Sequence, residues 1–381
     1  MHILVSGAGV AGLALAVDLS ALGHRVTVVE RSSHLRVNGS PIDIRGDAIA
    51  VAGKMGLLSQ IRDSQIHSTD QMAFVDADGT PIVRVPMEQA NDSDDDLEIA
   101  REDLMDILAG AASGSGATIC FKDCVGALTD DGEGVDVQFL SGREERYDLV
   151  LGADGLHSAV RRLAFGAESG YIRHLGFYGA LFDLPRESRP EGLSPVYNVP
   201  GHAAAILRVK DNAIGLLGFH SGPLDYDYHD LGAQKKIIAD AFAGITAWKV
   251  PQLVEAARDD PECYFDSISQ IHMPGWHAGR VALVGDAAHC SALLSGRGTS
   301  LALTGADFLA EELERSDGDH SAAFERYEAR QRPYVEFAQA SVGQGAALLI
   351  PASWEEINAR NELIKAVSQG DRPAVRNSPD D

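Results

Sequence analysis

Three short stretches of this 381-residue chain carry residue types that can hold a phosphorylated or polyhydroxylated ligand. The first is Gly7-Ala8-Gly9-Val10-Ala11-Gly12, followed by an acid at Glu30. Gly7 allows a tight turn, Gly9 leaves the backbone open to a pyrophosphate, and Gly12 lets a helix pack close to a strand, with Ala11 a further small residue of the loop. Glu30 stands at about the twenty-residue spacing from which an acid accepts from an adenosine ribose. The motif alone suits FAD and NAD equally, because both offer a ribose with a free 2′-hydroxyl. The second stretch is Asp154-Gly155-x-x-Ser158-x-x-Arg161. The third is Gly285-Asp286-Ala287-Ala288-His289, with Gly296-x-Gly298 after it. A short carboxylate in each of these two can accept from sugar or ribityl hydroxyls.

These residues must be placed by strands and helices. Ile3-Leu4-Val5 reads as a strand, Leu13 to Leu19 as a helix stopped by Gly23, and Val26 to Val29 as a second strand ending on Glu30. Arg146 to Leu151 and Arg280 to Val284 read as buried strands that run into the second and third motifs. The C-terminal ends of parallel strands are where ligands bind in an open α/β sheet. A helix predicted from about Ser300 to Glu314 points its N–H groups at whatever lies beside Gly298. A helix N-terminus stabilises a negative charge, such as that of a reduced flavin, by about 0.3–2 kcal/mol. Gly296 and Gly298 would let a ring approach the backbone.

The rest of the chain reads as follows. Met72 to Val83 is a β-hairpin around Asp78-Gly79. Asp47 to Met55 and a stretch from Arg101 to about Ala112 are helices. From Gly176 to Ile271 the chain alternates as an antiparallel sheet with one helical insert, Gly232 to Ala243. Helices from Ser321 to about Leu349 and from Trp354 to Ser368 precede a polar tail. The acidic run Asn91 to Asp96 reads as an exposed loop, and no metal site is expected.

The net charge of −24 argues against nucleic acid and anionic membrane partners. The four cysteines lack zinc-like spacing and read as reduced thiols. Neither a signal peptide nor an apolar membrane span is expected, which points to a cytoplasmic protein.

The three motifs together resemble the single-component FAD-dependent aromatic hydroxylases, the p-hydroxybenzoate hydroxylase-like group A flavoprotein monooxygenases, over nearly the whole chain. Gly296 to Leu303 is most similar to the branch of tetracycline-modifying enzymes and antibiotic-pathway relatives. The resemblance implies an α/β fold: a Rossmann-like FAD-binding domain, a discontinuous antiparallel β-sheet substrate domain, and C-terminal helices. Its expected boundaries are residues 1–70, 97–175 and 272–345 for FAD, 71–96 and 176–271 for substrate, and 346–381 for the terminal helix and tail. By position, Gly7, Gly9 and Gly12 would hold the pyrophosphate, Glu30 the ribose, and Arg31 would lie by the adenine. Arg101 would meet the ribityl–phosphate region, and Asp286 the ribityl chain or pyrophosphate. Asp154 belongs to a motif associated with FAD and NAD(P)H. Gly298 and Thr299 would offer N–H groups to the flavin, and Arg45 would reach towards flavin and substrate. Phe182, Tyr197, Phe219 and Leu293 are the expected substrate pocket. His220, Tyr197, His202 and Asp183 stand unranked as general bases.

The implied reaction uses NADH or NADPH and O2 to hydroxylate an aromatic or polyketide-like molecule through a C4a-hydroperoxyflavin, in a monomer or homodimer. Two departures matter. Ala292 and Leu293 stand where the family usually has prolines, and Ser300 where it has Asn. They motivate the alternative of a flavin-binding protein without hydroxylase activity, ligand-sequestering or oxidase-type. A flavin halogenase would need a Trp-x-Trp segment, but Trp248, Trp276 and Trp354 stand alone. A plain NAD-dependent dehydrogenase would leave Gly285 to Ser300 unexplained.

Overall fold

The computed structural model describes residues 1–35, 40–66, 71–86, 93, 95–188, 190 and 192–368. The tail from 369 onward and half of the acidic run (Asn91, Asp92 and Asp94) lie outside them. In chain order, the first elements are β1 (His2–Ser6), α1 (Val10–Ala21), β2 (Arg25–Glu30), β3 (Pro41–Ile44), α2 (Asp47–Lys54) and α3 (Leu58–Asp63). There follow β4 (Gln71–Val75), β5 (Pro81–Pro86), β6 (Leu97–Ala100), α4 (Arg101–Gly114), β7 (Thr118–Phe121), β8 (Val125–Asp130) and β9 (Val135–Phe139). Next come β10 (Glu144–Tyr147), β11 (Leu149–Gly152), α5 (Ala159–Phe165), β12 (Ile172–Leu184), β13 (Leu193–Val199), β14 (His202–Val209) and β15 (Asn212–His220). The chain continues with α6 (Leu231–Phe242), α7 (Val250–Asp259), β16 (Tyr264–Ile271), β17 (His277–Ala278) and β18 (Val281–Leu283). Four helices follow: α8 (Asp286–His289), α9 (Gly298–Arg315), α10 (His320–Leu349) and α11 (Trp354–Ser368).

The strands that lead into the three motifs are neighbours. One sheet has the order β17-β18-β11-β1-β2-β7, parallel from β18 to β7. Ile3, Leu4 and Val5 are fully buried, as a parallel strand covered on both faces requires. Helix α1 is buried along Val10 to Val17 and at Leu19, so it is apolar nearly all round and sits inside the fold. The run from Arg146 to Gly152 is two strands, not one. It breaks at Asp148, which accepts from His2 N at 2.6 Å and donates to His2 O at 2.8 Å. β10 joins β8 and β9 in a three-stranded sheet, while β11 joins the motif sheet.

The second large sheet has the order β16-β12-β15-β14-β13-β4-β5 and is antiparallel except between β13 and β4. Its period of two sorts side chains cleanly. Tyr178, Phe182, Tyr197, Ile206, Leu217, Phe219 and Phe265 point one way and pack with α6 and α7. Gly179, Leu181, Val196, Ala205, Leu216 and Ile268 point the other way, into a cavity. Two helices cover the sheet where the sequence reading expected one. In α7 the buried residues Val250, Leu253 and Ala257 recur at helical spacing on an otherwise polar segment.

Residues Leu349 and Ile350, at the end of α10, cross the cavity face. Arg360 of α11 fastens this end: its guanidinium lies 3.5 Å from the Phe74 ring centroid and donates to Asn198 Oδ1 and Leu348 O, both at 2.8 Å. No helix among the described residues is long and apolar enough to cross a membrane.

Candidate functional site

The glycines of the first turn divide by what demands them. A Cβ on Gly7 would lie 2.4 Å from Ala153 O, and one on Gly12 would lie 1.9 Å from Gly7 O. The protein's own packing therefore requires both. A Cβ on Gly9 would have nothing within 4 Å. Space above Gly9 is left for something other than protein. Gly9 is the N-cap of α1, no side chain caps that helix, and its first turn carries no acid. Its orphan N–H groups are thus available to an anion. Glu30 braces the turn, accepting from Ala8 N at 2.9 Å and Ser32 N at 2.8 Å. Arg31 reaches His229, 2.9 Å away, in the loop after β15.

The second motif packs on the first. Asp154 is engaged by its own loop, accepting from Ser158 Oγ at 2.5 Å, Ala159 N at 2.8 Å and Val160 N at 3.1 Å. In the third, a Cβ on Gly285 would lie 2.9 Å from Ala11 Cβ, so Ala11 and Gly285 are small for one another's sake. Asp286 begins α8. It is solvent-exposed, yet burial raises its carboxyl pKa, with Arg101 opposing. A deep cleft accounts for both: water reaches the carboxylate, but protein surrounds the opening. Tyr264, 37 % exposed, belongs to the same place; burial and Asp266 raise its phenol. The sequence reading missed it. Arg101 Nε is buried and has no hydrogen-bond partner among the described residues. His289 is no acid–base group of this cleft, because complete burial lowers its pKa to about 3 beside Trp276.

Helix α9 begins at Gly298, two residues earlier than expected, and no side chain caps it. A Cβ on Gly298 would again have nothing within 4 Å. Thr299 is in its first turn, and Ser300 Oγ accepts from Arg45 N at 2.9 Å, tying β3 to this helix. Arg45 pairs with Asp43 at 2.8 Å, and Gly296 lies against the two. Ala292 has φ 76° and ψ 149°. For a residue with a Cβ this strain is on the order of 1–3 kcal/mol. Proline, fixed near φ −65°, cannot take this backbone.

The cavity is about 490 Å³. Arg45 and Leu293 line it, with the polar side chains of Asp43, Gln65, Asp96 and Glu98 at its margin. Phe182, Tyr197 and Phe219 do not; this corrects the expected substrate pocket. They lie on the opposite face, in the core under α6 and α7. A one-residue change of reference along a strand exchanges the faces, and aromatic type drew attention to the wrong one. The cavity takes the smaller neighbours Leu181, Val196 and Gly218 instead. Of the proposed bases, His202 contacts Pro200 O and Ala241 O on the core side, and Asp183 lines a separate groove of about 680 Å³ beside α7. That groove shares no residue with the three motifs. His220 donates from Nε2 to Ile350 O at 2.7 Å, at the C-terminal wall.

Between the two large sheets, His157 meets Glu168 at 2.9 Å and Asp266 at 3.2 Å and stacks on Tyr228 with centroids 4.0 Å apart. Burial pulls the imidazole pKa down, but hydrogen bonds to Asp266 and Glu168 outweigh it and raise it to about 9. A pKa raised in the folded state stabilises fully below the unfolded value of about 6.5, and that stability disappears as pH rises through the folded value. The contribution is on the order of 3 kcal/mol. Urea unfolding from pH 6 to 10 should show wild type losing this margin between pH 6.5 and 9. His157→Gln should lack that slope; an equal slope in both would refute the assignment.

An open pyrophosphate cradle, two uncapped helix ends and a deep carboxylate fit an FAD running from Gly9 to Gly298. A family model described as an FAD binding domain matches residues 1–198. A flavin-dependent monooxygenase from an unknown prokaryotic organism is 36% identical over 96% of this chain and 95% of its own length. The chain belongs to the FAD-dependent monooxygenases. This chain is also similar to an uncharacterised protein of Mycobacterium tuberculosis, 38% identical over 88% of this chain and 90% of that one. Among solved structures, tetracycline destructase Tet(51) superposes with a TM-score of 0.84 at 33% identity, covering 98% of this chain and 99% of that chain. The fold class expected from the sequence is the one observed, and the flavin enzyme resemblance is the one found.

Proposed function

We propose that this monooxygenase uses NADH or NADPH and O2 to hydroxylate an aromatic or polyketide-like molecule held in the cavity over the seven-stranded sheet. The observation that carries the reading is the shared wall: Asp43, Arg45 and Leu293 line the cavity, and Arg45 is bonded to the first turn of α9. Bound FAD would supply acceptance of a hydride and activation of O2. The chain's residues do the rest. Gly9 and the start of α1 would bind the pyrophosphate, Glu30 the ribose, and Arg101 and Asp286 the ribityl region. The N–H groups of Gly298 and Thr299 would face the flavin ring and favour negative charge there. Leu181, Val196, Ala205 and Leu216 hold the substrate and exclude water. The residues named at the sheet propose it as the substrate unit and the six-stranded sheet as the cofactor unit, with Asp154's loop serving both cofactors.

The likeness to a tetracycline destructase supports a polycyclic substrate. The test is NAD(P)H oxidation by FAD-loaded enzyme against simple phenols and polycyclic polyketides, tetracyclines included, with mass spectrometry. The expected result is stimulated oxidation and a product heavier by one oxygen atom. No stimulation and no oxygenated product across the panel would overturn it. Asp286→Ala should be isolated with most of its FAD missing; full flavin absorbance would remove Asp286 from the site.

A further inference from the structure

Helix α8 is a single turn, Asp286–His289. One turn fixes several dihedrals for few hydrogen bonds and does not hold itself. Its carbonyls are terminal and lack helical partners. Arg161 supplies one, donating from Nη1 to Ala287 O at 2.8 Å. The Arg161 side chain is wholly buried, and a buried guanidinium needs a counter-charge. Glu168 provides it, with Oε2 2.8 Å from Arg161 Nη2. The other oxygen, Oε1, meets His157 Nδ1 at 2.9 Å, and His157 Nε2 reaches Asp266 at 3.2 Å. Asp266 pairs with Gly179, on the cavity face of β16. Glu168 lies outside all three motifs and does not line the cavity.

We propose that Glu168 is a positioning residue of the FAD site: through Arg161 it sets α8 and hence Asp286, and through His157 it ties that turn to the substrate sheet. Glu168 acts on the carboxylate without touching cofactor. Without it, Arg161 loses its ion-pair partner at Nη2, keeps Leu156 O and the nearby charge of Asp154, and holds Ala287 O less firmly. This rests on the reading of Asp286 as an FAD ligand.

The test titrates FAD into apoprotein of wild type, Glu168→Gln, Asp286→Asn and the double variant, read by flavin fluorescence, with thermal unfolding of each alongside. Glu168→Gln should weaken FAD binding by about tenfold, which corresponds to about 1.4 kcal/mol. In the Asp286→Asn background the same change should cost little, since one residue acts through the other. A lower Tm with unchanged FAD affinity, or fully additive losses, overturns the proposal. If Glu168→Gln does not fold, Glu168→Asp, which keeps the charge and shortens its reach, should show intermediate affinity; wild-type affinity there overturns it too. Unchanged FAD binding by Asp286→Asn alone would instead overturn the Asp286 reading on which this rests.

Discussion

Gly9→Val is expected to give a folded protein that holds no FAD. The side chain enters space where no protein atom lies within 4 Å, so the apoprotein tolerates it. It also fills the approach to the N–H groups at the start of α1, where the pyrophosphate must come closest. Gly12→Val should behave differently. A Cβ there lies 1.9 Å from Gly7 O, and the turn cannot retreat because Gly7 is itself pressed on Ala153. Overpacking of this kind costs about 1–3 kcal/mol or more. The pair separates cofactor loss from fold loss. Far-UV circular dichroism and flavin absorbance of both proteins decide it. Gly9→Val with a normal flavin spectrum would refute the phosphate-cradle assignment, and equal unfolding of both would show that Gly9 serves packing alone.

The turn was legible in the sequence because its chemistry is local. Glycine spacing, the flanking apolar runs and the acid at Glu30 all lie within one strand–helix–strand unit. The second and third motifs were legible for the same reason, each closing a buried strand. What the sequence did not reveal depends on long-range registry. Tyr264 enters the cleft only because β16 pairs with β12 so that Tyr264 faces Leu181. Glu168 stands near Arg161 in sequence, but its other oxygen reaches His157 and, through it, Asp266 of β16, a link that no local spacing reveals. Asp154 looked like a ligand carboxylate, yet its hydrogen bonds close its own loop onto α5. The cavity wall failed for a simpler reason. Both faces of β12 and β15 are apolar, so alternation carried no polar mark to tell core from cavity, and ring size was a poor substitute.

That ambiguity sets up the last prediction. Ala205 and Phe182 are both buried strand residues, 2 % and 1 % exposed, but on opposite faces of one sheet. Ala205→Trp should fill the cavity and abolish substrate-stimulated NAD(P)H oxidation, while FAD content and Tm stay near wild type. It adds bulk to space, against a cavity of about 490 Å³. Phe182→Ala should do the reverse. Its ring packs in the core under α6 and α7 and lies where a Cβ on Gly215 would be, 2.1 Å from Phe182 Cε2. Truncating a buried Phe costs about 3–5 kcal/mol, a loss of most of the margin of an ordinary domain. Denaturant unfolding and steady-state kinetics of the two variants measure this directly. If Phe182→Ala altered KM for substrate at unchanged stability, the face assignment would be reversed, and the aromatic residues would return to the pocket. If instead Ala205→Trp loses turnover alone, the small-residue face of the sheet is the one that meets substrate, because only there does added volume compete with a ligand and not with the core.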